Sequence, residues 1–312
     1  MLENSNKVQL IRVLEPQQGQ RIDNFLIRHL KGVPRSRVYR LIRRGEIRVN
    51  KKRCKPTQKL ITGDEVRIPP YSGTAPAEPG KLSPGLRELL ESRRLFENEA
   101  VLVINKPAGM AVHGGSGIRL GLIEAMRQIR PEWQDLELAH RLDRDTSGCL
   151  VIAKNTIFLK HIQKELKDKH VEKRYLALVH GQWPANLVQM AVPLKREAVS
   201  SSERVVRVSA DGKPSLTRFT VVRRYREATL IEALPVTGRT HQIRVHCQHA
   251  GHGIVGDPKY TAPAAGISLS RVKTLCLHAL HIKFTLSPGE GQVEVEAPID
   301  KTLANLLDGL SE

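Results

Sequence analysis

The rhythm of apolar and polar positions changes part-way along the chain. Over residues 21–30, Ile22, Phe25, Leu26 and Leu30 recur at the spacing of one helical face, which predicts a short amphipathic helix. After Val33-Pro34, the run SRVYRLIRRG predicts a second helix that turns Val38, Leu41 and Ile42 to one side. Ser36 is placed to cap its start and Gly45 to end it, with Arg43 and Arg44 where the helix dipole favours cations. The segments IRVN, KKRCKP and GDEVRIP then predict a small sheet with Arg48, Lys51, Lys52 and Arg53 at its turn. Beyond residue 94, longer apolar runs take over. AVLVINKPAG, CLVIAK, KRYLALVHG, RFTVV, ATLIEALPV and LCLHALHIKFTL predict strands. LGLIEAMRQIR, NTIFLKHIQKELKDKH (begun by Asn155) and TGRTHQIRVHCQHAG (after its first turn) predict helices. The order of these elements predicts an α+β fold, with a mixed, largely antiparallel sheet and flanking helices rather than a repeating βαβ series.

Between the two stretches, eight of the seventeen residues from 69 to 85 are Pro or Gly, the composition of a tether. The expected organisation is a small module over 1–68, a Pro/Gly-rich linker over 69–93 and a larger domain over 94–312. Charge sharpens this division. The chain carries 50 Lys and Arg against 32 Asp and Glu, net +18, and residues 1–70 alone hold 17 basic and 6 acidic side chains. A field so concentrated calls for an anionic partner, nucleic acid first. Arg37, Arg40 and Arg44 project from the second helix away from its apolar side, and Lys51 and Lys52 continue the same sign into the turn. A solvated helix face usually mixes its charges; this one reads as a phosphate-binding surface. The four cysteines form no CxxC pair, the N-terminus has no signal-peptide run, and no stretch reaches the ~18 apolar residues of a membrane span. A cytoplasmic monomer with no membrane partner is expected.

Absent motifs narrow the chemistry. There is no GxxxxGK[ST] loop, no GxGxxG after a strand and no HExxH, so no nucleotide or nicotinamide cofactor is expected. His246-Cys247-x-His249-x-x-His252 lacks the paired thiols of a structural zinc site, and no metal is expected either. The densest polar segment is LELAHRLDRDTSGCLVIAKN, which delivers His140, Arg141, Asp143, Arg144 and Asp145 into a Thr-Ser-Gly turn before a buried strand. Arg141 and Arg144 flank Asp143, a setting that favours an ionised carboxylate suited to act as nucleophile or electrostatic stabiliser. On this segment alone, a turn held by salt bridges explains the residues equally well.

Resemblance decides between these readings. RIDNFL…VPRSRVYRLIRRGEIRVNKK…L…GDEV resembles the S4-like RNA-binding domain shared by a ribosomal small-subunit protein and certain tRNA synthetases. HRLDRDTSG resembles the catalytic loop of the RluA-type pseudouridine synthases. INKPAGMAVHGGSG, EKRYLALVHG, PVTGRTHQIRVH, GDPKY and LHALHIKF follow that family's order over about residues 95–300. Cys149, usually aliphatic, and Thr261, often Gly, are the departures. The resemblance implies cofactor-free isomerisation of several uridines in 23S large-subunit ribosomal RNA. It implies that Asp143 is the catalytic carboxylate, attacking the ribose or removing a ribose proton, and that Arg244 pairs with it through a bidentate guanidinium. It implies that Tyr175 stacks on the uracil and that Arg141 fills the space left by the extruded base. Leu277 would wall the base, although an ordinary core leucine fits nearly as well; on spacing alone Tyr175 reads as a core aromatic. A non-catalytic ribosome-binding factor, a synthase acting on transfer RNA, and a nuclease or glycosylase are the competing readings.

Overall fold

The computed structural model describes residues 7–311 except 31–32, 34, 72–79, 115–117, 119, 134, 199–203, 261–268, 288 and 290. The chain divides into two units, Met1–Glu78 and Pro79–Glu312.

The first unit contains β1 (Gln9–Arg12), α1 (Ile22–His29), α2 (Arg35–Arg44), β2 (Arg48–Val49), β3 (Lys52–Arg53) and β4 (Glu65–Ile68). The strands form one antiparallel sheet in the order β1-β4-β2-β3. Both helices sit where the periodicity placed them. Ile22, Phe25 and Leu26 of α1 and Val38, Leu41 and Ile42 of α2 are buried with Ile47, Leu60, Val66 and Ile68 in one core. Gly45 ends α2 in the left-handed region (φ 71°). The Ser36 side chain, expected to cap α2, lies outside the described residues. Two features were not expected from sequence: strand β1, and a buried Asp23 that binds Arg21 (2.6 Å) and Tyr39 (2.9 Å). Burial opposes ionisation of Asp23, but Arg21 and Tyr39 outweigh it and its pKa is lowered.

The second unit contains α3 (Pro84–Ser92), β5 (Arg94–Glu97), β6 (Val101–Lys106), α4 (Leu122–Ile129), β7 (Glu137–Leu138), β8 (Ser147–Ala153), α5 (Thr156–Asp168) and β9 (Glu172–His180). It continues with β10 (Gln189–Met190), β11 (Leu194–Ala198), β12 (Arg204–Val208), β13 (Thr217–Arg224), β14 (Ala228–Pro235), α6 (Gln242–His249), β15 (Leu277–Thr285), β16 (Gln292–Glu296) and α7 (Lys301–Asp308). The main sheet runs β10-β13-β14-β9-β15-β8-β6-β5, with β16 beside β15 and β7 beside β8; β11 and β12 form a separate hairpin. All its pairs are antiparallel except β15 with β8, where His278 and Ala279 lie opposite Ser147 and Gly148. This is the mixed, largely antiparallel sheet that the patterning predicted.

Strands β6 and β8 are apolar at nearly every position because both faces are covered. Leu102, Ile104, Leu150 and Ile152 pack towards α4 (Leu122, Met126), while Val101, Val103, Val151 and Ala153 pack towards α5 (Phe158, Ile162). The linker reading needs revision over Pro84–Ser92, which is helical: Ser83 accepts from Leu86 N, Pro84 occupies the first turn and Leu90 is fully buried. Residues 72–79 of that stretch lie outside the described residues. No helix among the described residues is long and apolar enough to cross a membrane.

Candidate active site

The loop Ala139–Thr146 joins β7 to β8 and places Asp143 at a cleft of about 980 Å³. The turn lies at Arg144-Asp145, closed by Thr146 N to Asp143 O (3.2 Å), and not at Thr146-Ser147-Gly148 as the sequence suggested. Ser147 and Gly148 instead open strand β8 against β15. Gly148 has φ 105°, and a Cβ there would stand 2.2 Å from the carbonyl oxygen of Ala279. Only glycine permits this approach. Ser147 Oγ binds His278 Nδ1 (2.8 Å), whose Nε2 meets Ala297 O (3.0 Å), so the parallel junction is tied at side-chain level too.

Two side chains hold the loop, Lys106 fully buried and His140 half-buried at the cleft. Lys106, fully buried at the end of β6, donates from Nζ to the carbonyls of Pro107 (2.9 Å), Met110 (2.8 Å) and Arg144 (2.9 Å). Burial pushes its pKa down to about 7, an effect that Asp145 and Asp143 only partly offset. Three acceptors at hydrogen-bond distance match the three protons of an ammonium. On the other side, His140 Nε2 accepts from the backbone N–H of Val151 (3.1 Å). That bond needs an unprotonated nitrogen, and burial accordingly pushes His140 down to about 3.

Asp143 meets Arg244 and His241 through one oxygen. Oδ2 lies 3.3 Å from Arg244 Nη1 and 3.6 Å from His241 Nε2, and Oδ1 has no hydrogen bond from the described residues. Arg244 does not meet Asp143 as the bidentate pair that the resemblance implied; a single contact joins them. The fork of Arg244 goes to Asp257, with Nε and Nη2 each 2.7 Å from a carboxylate oxygen. Asp257 also accepts from Lys259 N (2.9 Å) and Tyr260 N (3.2 Å), and the Tyr260 ring lies under the guanidinium at 5.0 Å. Burial works against the charge of Arg244, but Asp257 and then Asp143 outweigh it and raise its pKa. The sequence neighbours Arg141 and Arg144, which flank Asp143 along the chain, are exposed, and Arg144 Nε donates to Gly109 O (2.9 Å).

Arg141, Tyr175 and Leu277 all line the same cleft as Asp143 and Arg244. Tyr175, on β9 opposite Ala233, is half-buried; burial first and the Asp143 carboxylate second push its pKa up. Leu277 is both a wall of the cleft and a buried core residue. Lys173 lies two residues before Tyr175 on the same face of β9 and lines the cleft as well, with no carboxylate partner among the described residues.

Comparison with known proteins places this geometry. Residues 100–249 match the family described as RNA pseudouridylate synthase, and residues 20–66 match the S4 domain. Over 99% of its length the chain is 49% identical to ribosomal large subunit pseudouridine synthase C of Escherichia coli (strain K12), covering 99% of that protein. The chain belongs to the RNA pseudouridylate synthase family. The homologous protein of Haemophilus influenzae (strain ATCC 51907 / DSM 11121 / KW20 / Rd) is 47% identical, across 99% of this chain and 97% of its own. Among solved structures, Human RNA Pseudouridylate Synthase Domain Containing 1 is 27% identical with a TM-score of 0.58, covering 74% of this chain and 91% of that one. Human RNA Pseudouridylate Synthase Domain Containing 4 shares the fold at 23% identity and a TM-score of 0.58, covering 72% and 95%.

The synthase is thus an isomerase with an S4 domain ahead of its catalytic unit. In the S4 unit, Arg40 and Arg44 of α2 are exposed and Arg37 is half-buried. Lys51 and Lys52 are exposed on the β2–β3 hairpin, which Arg53 ties to the end of α2 through Arg44 O (3.4 Å). The hairpin turn is Asn50-Lys51, both at positive φ (49° and 65°). Asn50 is held there by bonds to Asp64 (2.7 Å) and Glu65 N (2.8 Å), whereas Lys51 bears the strain of a lysine in the left-handed region at an exposed tip. Of the two departures from the family pattern, Cys149 is buried against Leu280 O and Val295 O, and Thr261 lies outside the described residues. Asp257, His241, Tyr260, Lys106 and Lys173 were not assigned from sequence. A buried acid in GDPKY and a lysine closing the apolar run VLVINK were the available signals, since each needs a partner that only the fold supplies.

Proposed function

We propose that this synthase isomerises several uridines of 23S large-subunit ribosomal RNA, with Asp143 as the catalytic carboxylate, as a cytoplasmic monomer needing no cofactor. The single observation that carries the catalytic assignment is the asymmetric hold on Asp143. Arg244 and His241 both approach Oδ2, which leaves Oδ1 as the reacting oxygen. The ribosomal assignment rests on full-length similarity to proteins named for the large subunit.

The reaction breaks the N1–C1′ bond, turns the uracil and rejoins it through C5. C5 loses a proton and N1 gains one, so the change is neither redox nor hydrolysis. Asp143 acts on the ribose, as carboxylates do at glycosidic centres. Arg244, locked by Asp257, is pre-set to stabilise the carboxylate without reorganising during the reaction. Tyr175 stacks on the uracil beside Leu277. Arg141, exposed at the rim, occupies the gap that the extruded uridine leaves in its stack. Lys173 is placed to neutralise a phosphate flanking the target. Arg37, Arg40, Arg44, Lys51 and Lys52 bind RNA backbone through the S4 unit, whose span we assign to residues 1–68.

A pseudouridine map of large-subunit ribosomal RNA treated with wild-type and Asp143→Asn protein tests this. Uridines converted by wild type alone support substrate and carboxylate together. Conversion of transfer RNA only would replace the substrate, and full conversion by Asp143→Asn would overturn the assignment of Asp143.

A further inference from the structure

We propose that His241 is a positioning residue for Asp143, and that its orientation is dictated from outside the cleft by the β11–β12 hairpin through Tyr260. This rests on the reading of Asp143 as the catalytic carboxylate.

The hydrogen bonds around Tyr260 fix where its proton goes. The Tyr260 hydroxyl accepts from the backbone N–H of Val206 in β12 (2.9 Å) and lies 2.6 Å from His241 Nδ1. A phenol has one proton, and the Val206 N–H can only donate. Among the described residues His241 Nδ1 is the one acceptor within reach of the Tyr260 proton, which therefore goes to it and leaves Nδ1 bare. In a neutral imidazole the remaining proton then sits on Nε2, the nitrogen that faces Asp143 Oδ2 at 3.6 Å. The opposite tautomer would leave the Tyr260 proton without an acceptor among the described residues and turn a lone pair of Nε2 towards a carboxylate. Both changes are unfavourable at a site this enclosed. Burial also lowers the His241 pKa, in keeping with a neutral ring.

The backbone supports the assignment. His241 is the residue before α6 and has φ 54°, a left-handed conformation that costs a non-glycine residue free energy. Its ring packs edge-on against Tyr260, with centroids 5.4 Å apart. The hairpin is docked on the same residues: Leu194 of β11 and Val206 of β12 are buried with Tyr260 and Val245 of α6. A second tie runs from Arg196 of β11 to Thr240 Oγ1 (3.3 Å), one residue before His241. Lys195, Arg196 and Arg207 are exposed on the hairpin, Lys195 and Arg207 only loosely paired with Asp211 and Glu197 (3.5 and 3.8 Å). RNA seated on this cationic hairpin thus bears on the element that sets the donor facing Asp143.

The test uses the full-length chain labelled with nitrogen-15 histidine, with His241→Gln to assign the ring signals. In wild type the His241 ring should be neutral with its proton on Nε2. Tyr260→Phe keeps the aromatic packing and removes the O–H; His241 should become a mixture of tautomers. The same variant should lose about tenfold in kcat with KM for RNA unchanged. A wild-type ring protonated on Nδ1 would overturn the proposal. So would a Tyr260→Phe protein whose tautomer and kcat both match wild type. Failure of the underlying reading is separable, because an active Asp143→Asn enzyme would leave the tautomer measurement untouched.

Discussion

Replacing Asp257 with alanine leaves the fork of the buried Arg244 guanidinium unfilled. Its Nε and Nη2 lose acceptors at 2.7 Å, and the only carboxylate still paired with it among the described residues is Asp143, at 3.3 Å. Breaking a buried pair from one side costs about 3–5 kcal/mol, because the surviving charge stays desolvated and unmatched. The amides of Lys259 and Tyr260 lose the same acceptor, about 1 kcal/mol each. Against the roughly 5–15 kcal/mol that holds a domain folded, this is a severe loss. At about 2–4 °C per kcal/mol, Tm should fall by about 10 °C or more. Both tryptophans, Trp133 and Trp183, lie in the second unit, so intrinsic fluorescence follows its unfolding apart from the S4 unit. Pseudouridine formation should drop at least about 100-fold, because a loose guanidinium no longer meets Asp143 in a fixed place. The double variant Arg244→Met with Asp257→Leu separates the two effects: an apolar pair of similar size should restore most of the stability and none of the activity. An Asp257→Ala protein with wild-type Tm and rate would refute the claim that this fork positions Arg244. Activity regained in the double variant would refute any role for the Arg244 charge.

Arg244→Lys keeps the charge but cannot fill the fork, so kcat should fall roughly 10- to 100-fold with a smaller loss of Tm, measured on the same RNA. Stability should also depend on pH through His140, held neutral to about pH 3 where the unfolded chain's histidine takes up its proton near 6.5. The unfolded state therefore binds more protons across that window; the stability that His140 contributes is full above pH 6.5 and falls by about 1.4 kcal/mol per unit below it, and His246, pushed down to about 4, adds to the fall, so urea titrations at pH 7, 5.5 and 4.5 should show at least that slope. Gly148→Ala should express as insoluble or strongly destabilised protein, since its new methyl meets Ala279 O, a clash that soluble yield and circular dichroism would reveal. Substituting Arg40 and Lys52 by alanine should weaken RNA binding, with kcat unchanged. The plot of log K against log salt should become shallower by about one for each phosphate the variant no longer neutralises.

How far the sequence could be read depended on the range of the interactions. Helices α1, α2 and α5 were legible because their determinants are local: periodic apolar residues, Gly45 beyond the last turn, and Asn155 accepting from Phe158 N (2.8 Å). Strands β6 and β8 were legible as unbroken apolar runs. Helix α3 was missed although Ser83-Pro84 is a good start signal, because the surrounding Pro and Gly outweighed it. The hairpin β11–β12, strand β16 and helix α7 were not singled out, although QVEVE alternates and Asp300 caps α7 through Leu303 N (3.0 Å).

By itself, the sequence determined the two-part organisation, the cationic first unit, most of the core strands and helices, and, through ordered motifs, the family, and it nominated Asp143 and Arg244. Only the tertiary structure decided how those residues are used. Arg244 lies 101 residues from Asp143, and which carboxylate receives its fork depends on where α6 and the turn after Ile254 come to rest. Lys106, His140, His241 and Tyr260 act through carbonyls, amides and ring nitrogens contributed by distant segments. Hydrogen bonds are directional and short-ranged, so periodicity and composition carry no record of them; they exist only once the sheet has brought β6, β8, β12 and α6 together.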